Sequence, residues 1–134
     1  MRLLAIFCAL SLPTAALADD TAQDAVAKRF AESLLSEAAF VATDFLVPID
    51  KDSIQALAIF QHCSLDSINR PIGTYMGNGK IAADIKNKIA ITLRCRGVPR
   101  SSPAGLSLIF EGDKISSVET HNADLVLAGL EGTK

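Results

Sequence analysis

Val26, Phe30, Leu34, Ala38, Val41 and Phe45 recur at steps of four, four, four, three and four residues. That spacing keeps apolar side chains on one face of an α-helix, and it predicts a long helix from Asp19 to Val47. Ala22, Ala27, Ala31, Ala39 and Ala42 raise helix propensity and allow close approach to a partner surface. Thr21-x-x-Asp24 resembles a capping box, with acids near the positive end of the helix dipole. Pro48 ends the element by pushing the residue before it out of the helical region. A shorter helix is expected from Ser53 to about Cys63, with Asp52 as its N-cap. Its face is Ile54, Leu57 and Ala58, widened by Ile59 and Phe60. The polar segment Ser64 to Pro71 reads as a crossing loop.

Beyond it the period changes to two. Ile85, Ile89, Ile91, Leu93 and Cys95 fall on one side, while Lys86, Lys88, Ala90, Thr92, Arg94 and Arg96 fall on the other. Asn78-Gly79 suits a tight turn ahead of this strand. Gly97 to Pro103, with prolines at 99 and 103, reads as a loop. Leu106, Leu108 and Phe110 alternate again. Gly112-Asp113 suits a two-residue hairpin flanked by the opposite charges of Glu111 and Lys114. A last strand runs from Ile115 to about His121, and Ile81–Asp84 is either a separate strand or part of the next one. The expectation is therefore α+β: a long helix and a short one on a curved antiparallel sheet of four or five strands, with one face buried and one polar.

The start of the chain has a different character. Met1-Arg2, the apolar run Leu3–Leu12 and Ala16-Leu17-Ala18 form the three-part pattern of a secretory leader cleaved before Asp19. The run falls short of the roughly 20 residues a membrane-spanning helix needs, and Cys8 lacks a lipobox around it. This divides the 134 residues into a leader (1–18), a single domain (19–128) and a loose tail (129–134). The expected product is exported to the periplasm or the exterior without a transmembrane segment.

Export changes the meaning of the cysteines. Of three, Cys63 and Cys95 remain after the leader, and an even pair in an oxidising compartment is most simply a disulfide. Closing that loop is worth roughly 3–4 kcal/mol in the chain-entropy description. His62 and Cys63 are neighbours, and on a helix their side chains would point about 100° apart, which argues against a nucleophile–base pair. The scattered histidines and cysteines lack zinc-site spacing, so neither a metal nor a cofactor is expected.

Composition sets further limits. At 49% hydrophobic residues, most of the chain is not disordered, and a net charge of −2 disfavours nucleic-acid binding. The total conceals an asymmetry. Residues 19–60 carry three basic and eight acidic side chains (−5), 61–110 carry seven and two (+5), and 111–134 carry two and five (−3). Lys86, Lys88, Arg94 and Arg96 share one strand face, without aromatic interleaving. They read either as a surface for an anionic ligand or protein partner, or as a solvated face partly neutralised by Glu111, Glu119 and other neighbouring acids. Glu119 and His121 share a face of the last strand, and together with Tyr75 they are the pocket candidates. No Gly-x-Ser-x-Gly is present, and the Gly-x-Gly at Gly77–Gly79 lacks a third glycine, so no catalytic residue is assigned.

The order long helix, short helix and meander, closing on Phe110-Glu111-Gly112-Asp113-Lys114-Ile115, resembles the NTF2-like, cystatin-like α+β superfamily. The resemblance implies a helix laid across a sheet. It spans isomerases, dehydratases, binding domains and assembly modules, so it implies no single activity. The aromatic-lined cone of the family's enzymes is not evident in a chain with one tyrosine and no tryptophan. The expected function is a small exported binding or interaction domain. The alternatives are an NTF2-like ligand carrier or pocket enzyme, and a secreted inhibitor presenting the Gly97–Pro103 loop.

Overall fold

A computed structural model describes residues 15–70 and 87–132. Most of the expected leader, the Asn78-Gly79 turn, Ile81–Asp84 and the candidates Tyr75 and Lys86 lie outside the described residues. The elements are α1 (Ala15–Leu35), a 3-10 turn (Ala42–Asp44), α2 (Lys51–Leu57) running into a second 3-10 turn (Ala58–Phe60), strands β1 (Ser64–Asn69), β2 (Lys88–Arg94), β3 (Ala104–Glu111) and β4 (Lys114–His121), and α3 (Ala123–Glu131). The strands form one antiparallel sheet in the order β1-β2-β3-β4. The fold is α+β, with a four-stranded sheet among the described residues.

Helix α1 buries Val26, Ala27, Phe30, Ala31 and Leu34, the three- and four-residue spacing its sequence implied. It ends at Leu35 and not at Val47. Glu37 adopts a left-handed conformation (φ 58°), and the Ala38 amide donates back to the Ser33 carbonyl at 2.9 Å. That is a Schellman-type stop. A glycine usually signals it, and here a glutamate occupies the position. Beyond the stop the chain folds back, so Phe40 stacks on Phe30 at 4.8 Å and Phe45 meets both rings at 6.1–6.2 Å. Ala38 and Val41, expected on the buried stripe, are exposed.

Helix α2 is shorter than expected, and its cap is Asp50 and not Asp52. The Asp50 carboxylate accepts from the Ser53 amide at 2.7 Å, three residues along, where an N-cap side chain must reach. The segment from Ser64 read as a loop is instead strand β1. It lies at the sheet edge with mostly exposed side chains, so it carries little hydrophobic signal.

Ile89, Ile91, Leu93 and Cys95 face inward as their alternation required, joined by Leu106, Leu108, Phe110 and Ile115 from the next two strands. The expected polar outer face does not extend to β3. Gly105 and Ser107 are buried as well. A Cβ on Gly105 would fall 2.2 Å from the Ile91 carbonyl oxygen, so glycine is required there.

The tail expected from residue 129 is instead the end of helix α3, with Val126 fully buried and Leu130 packed against the core. Gly129 lies against the Arg96–Gly97 turn, where a Cβ would fall 2.1 Å from the Arg96 carbonyl oxygen. Lys114 reaches across to donate to the Thr43 carbonyl at 2.6 Å, holding the first 3-10 turn to β4.

Candidate functional site

Strand pairing places Ala90, Ser107 and Glu119 in one transverse row of the outer face, with Thr92, Gly105 and His121 in the next. Ser107 Oγ and His121 Nε2 share a 2.7 Å hydrogen bond, a diagonal tie between β3 and β4. Lys88 reaches over β3 to Glu119, with Nζ 3.4 Å from Oε1. His121 and Glu119 do share a face, as their spacing required. The structure pairs His121 with the neighbouring strand β3 and Glu119 with β2 beyond it, and among the described residues it does not set the two around a common cavity.

The basic row is divided in the same way. Arg94 lies 3.3 Å from Asp66, whose position coincides with a bulge in β1, and Lys88 is held by Glu119. Arg96 falls in the turn after β2, exposed. Partial neutralisation by Glu119 therefore holds, and Asp66 is the other neighbouring acid, on Arg94. Arg94 also lines a cleft of about 390 Å³ with Thr92, Arg100, Val98 and Asp66. The loop from Gly97 is anchored at its far end, because Asn122 Nδ2 donates to the Ser102 and Pro103 carbonyls at 3.3 and 2.9 Å.

Cys63 and Cys95 form the expected disulfide, with Cα atoms 4.4 Å apart. The bridge sits one residue beyond the Ser64–Arg94 register pair and staples β1 to β2. His62 corrects a sequence expectation. It lies in a turn and not on a helix, so the 100° argument does not apply, and its Nε2 stands 3.7 Å from Cys63 Sγ.

A feature missed by sequence reasoning lies on the opposite side of the sheet from the basic row. Val41, Leu46, Val47 and Ile54 are 41, 46, 67 and 42% exposed, and all belong to the short stretch between α1 and the end of α2. Val47, Ile49 and Leu57 form one wall of a cleft of about 290 Å³, and Ile115, Val118 and Thr120 of β4 form the other. β4 is a terminal strand of the sheet. Among the described residues the chain pairs with its outer edge at its start only, through a Phe45–Ile115 bridge and the Leu46 amide donating to the Ile115 carbonyl at 2.9 Å. Among the described residues no strand covers the edge beyond Ile115. A scan for helical periodicity hides this site, because it assigns Val41 and Phe45 to a buried face and leaves Leu46 and Val47 at the helix end.

Among the described residues no helix is long and apolar enough to cross a membrane. No family model, curated protein or solved structure matches this chain.

Proposed function

We propose that this chain is a small exported binding domain that takes an extended segment of a protein partner along the β4 edge. The observation that carries the reading is the cleft lined by Val47, Ile49, Leu57, Ile115, Val118 and Thr120, with Val47 67% exposed, at the outer edge of β4, which no strand among the described residues covers beyond Ile115. Exposed apolar side chains beside such a cleft mark interaction surfaces. A free strand edge supplies main-chain hydrogen bonds to an added strand, while a neighbouring cleft selects its side chains. The leader pattern and the Cys63–Cys95 disulfide support export. The NTF2-like kinship belongs to the same proposal. The succession of helices and antiparallel meander supports it, as does the Glu111–Lys114 hairpin.

Panning a displayed random-heptapeptide library tests the reading. Enrichment of sequences alternating apolar and polar residues is expected, with binding weakened at least about tenfold by Val47→Asp, a substitution at an exposed site that leaves the circular dichroism unchanged. Failure to enrich, or equal binding to the Val47→Asp protein, overturns it.

A second reading, the anionic partner, is favoured by the cleft that joins Arg94 and Arg100. Titration with inorganic phosphate should then shift the backbone resonances of Thr92 to Arg100 in the wild type and leave them unmoved in Arg94→Gln/Arg100→Gln. Resonances that do not move in the wild type sink this version.

A further inference from the structure

We infer that opening the Cys63–Cys95 bridge converts this end of the sheet into a three-ligand site for a thiophilic divalent cation of the Zn²⁺ class, with His62 as the imidazole ligand. One ring nitrogen of His62 and the sulfurs of Cys63 and Cys95 lie within 4.8 Å of one another. Tetrahedral zinc, with bonds of about 2.3 Å to sulfur and 2.0–2.1 Å to nitrogen, sets its donors roughly 3.5–3.8 Å apart. The His62 Nε2 to Cys63 Sγ separation of 3.7 Å already matches such an edge. The two sulfurs must part, and the widest edge of the triangle, 4.8 Å, must close by about 1 Å, which a rotation of the exposed His62 side chain supplies. The backbones that carry them stay together through the Ser64–Arg94 pairing next door, independently of the bridge.

The surroundings suit the proposal. Both cysteines are nearly covered (7 and 8% exposed) while His62 is exposed. A metal therefore enters from the histidine side, and two thiolates with a neutral imidazole balance a divalent charge. The numbering 62, 63 and 95 resembles no zinc-binding spacing, because the third ligand arrives from the far end of a neighbouring strand. The chemistry needs a reductant, and a dithiol supplies it. The dithiol gives two electrons and two protons, the Sγ–Sγ bond breaks to two thiols, and the donor leaves as its own disulfide. The cation then displaces both thiol protons to solvent. In either state β1 and β2 remain stapled, by the disulfide when oxidised and by the metal when reduced.

Cobalt(II) is the probe, added to protein reduced with a phosphine, which leaves no competing thiol. The expected result is thiolate-to-cobalt charge transfer and tetrahedral d–d absorption that saturate at one equivalent and collapse on adding Zn²⁺. The oxidised protein should show neither. His62→Ala, which retains the disulfide and the fold when oxidised, should bind at least about tenfold more weakly once reduced. If reduction itself unfolds the sheet, one equivalent of Zn²⁺ should restore the circular dichroism of the wild type and fail to do so for His62→Ala. Three outcomes overturn the inference: a folded reduced protein without cobalt–thiolate absorption, a reduced His62→Ala that binds like wild type, or an unfolded reduced chain that zinc does not restore.

Discussion

Arg29 of α1 and Asp44 of the first 3-10 turn form a two-pronged ion pair, Nη2 to Oδ1 at 2.7 Å and Nε to Oδ2 at 3.0 Å. The fork matches both carboxylate oxygens at once, a geometry lysine cannot reproduce. Asp44 is buried, so the pair fixes where the returning chain meets the helix. Its loss should free residues 42–46 from β4 without unfolding the sheet. In Asp44→Ala the Leu46 amide, which donates to Ile115, is expected to exchange with deuterium about tenfold faster. Arg29→Lys should show a smaller change in the same direction. Unchanged exchange in Asp44→Ala would mean that the Phe30–Phe40–Phe45 cluster holds the segment unaided.

Gly129 meets Gly97 where α3 crosses the turn after β2. Alanine at an exposed helical position would ordinarily gain up to about 1 kcal/mol over glycine. Here the added carbon would fall 2.1 Å from a backbone oxygen that cannot rotate away. Gly129→Ala is therefore expected to lower the urea unfolding free energy by about 1–3 kcal/mol, the usual range for overpacking. Ala128→Ser, at an exposed position on the same helix, should stay within about 0.5 kcal/mol.

Removing the disulfide shows how much of the stability depends on the staple. The loop it closes spans a sequence separation of 32. Cys63→Ser/Cys95→Ser should lose roughly 3–4 kcal/mol of unfolding free energy in the chain-entropy description. Equilibrium denaturation checks the value. A loss under about 1 kcal/mol would show that the unfolded chain is already compact across this loop.

The Asp50 cap should leave a signature at acid pH. The Ser53 amide, followed by the Ser53 hydroxyl, holds the Asp50 carboxyl below its ordinary value. A folded carboxyl depressed in this way contributes stability that is fully present above the unfolded value of about 3.9 and is lost as pH falls through the folded value. Thermal melts from neutral pH to strong acid should show a smaller acid-side loss in Asp50→Asn, which caps without titrating. Parallel pH curves for the two proteins would rule the cap out as a contributor.

Several of these relationships could be read in advance and others could not, for identifiable reasons. Ile89, Ile91 and Leu93 announce β2 because a strand buried on one face must alternate. The Glu111–Lys114 hairpin is equally legible, since Gly112 takes a positive φ of 65° that its residue type permits. β1 was illegible because an edge strand is stabilised by its neighbour's hydrogen bonds and needs few buried side chains of its own. The pairing of His62 with the bridge was hidden by an assumed helix, and Arg94–Asp66 by a strand read as a loop. The apolar edge was masked by a helical stripe that physically stops at Leu35.

Local chemistry alone determined the inward alternation of β2 and the cation-rich middle of the chain. These follow from periodicity and charge, which need no knowledge of distant neighbours. Tertiary structure decided where α1 ends, which acids answer Arg29, Lys88 and Arg94, that residues 123–131 form a helix, and that Leu46 and Val47 stay exposed beside β4. Each of those depends on packing between segments far apart in sequence: three phenylalanine rings outweigh another turn of helix, and two glycines allow a helix to touch a turn. Helical propensity along residues 36–47 is worth only tenths of a kcal/mol per residue, so contacts made across the fold decide the outcome.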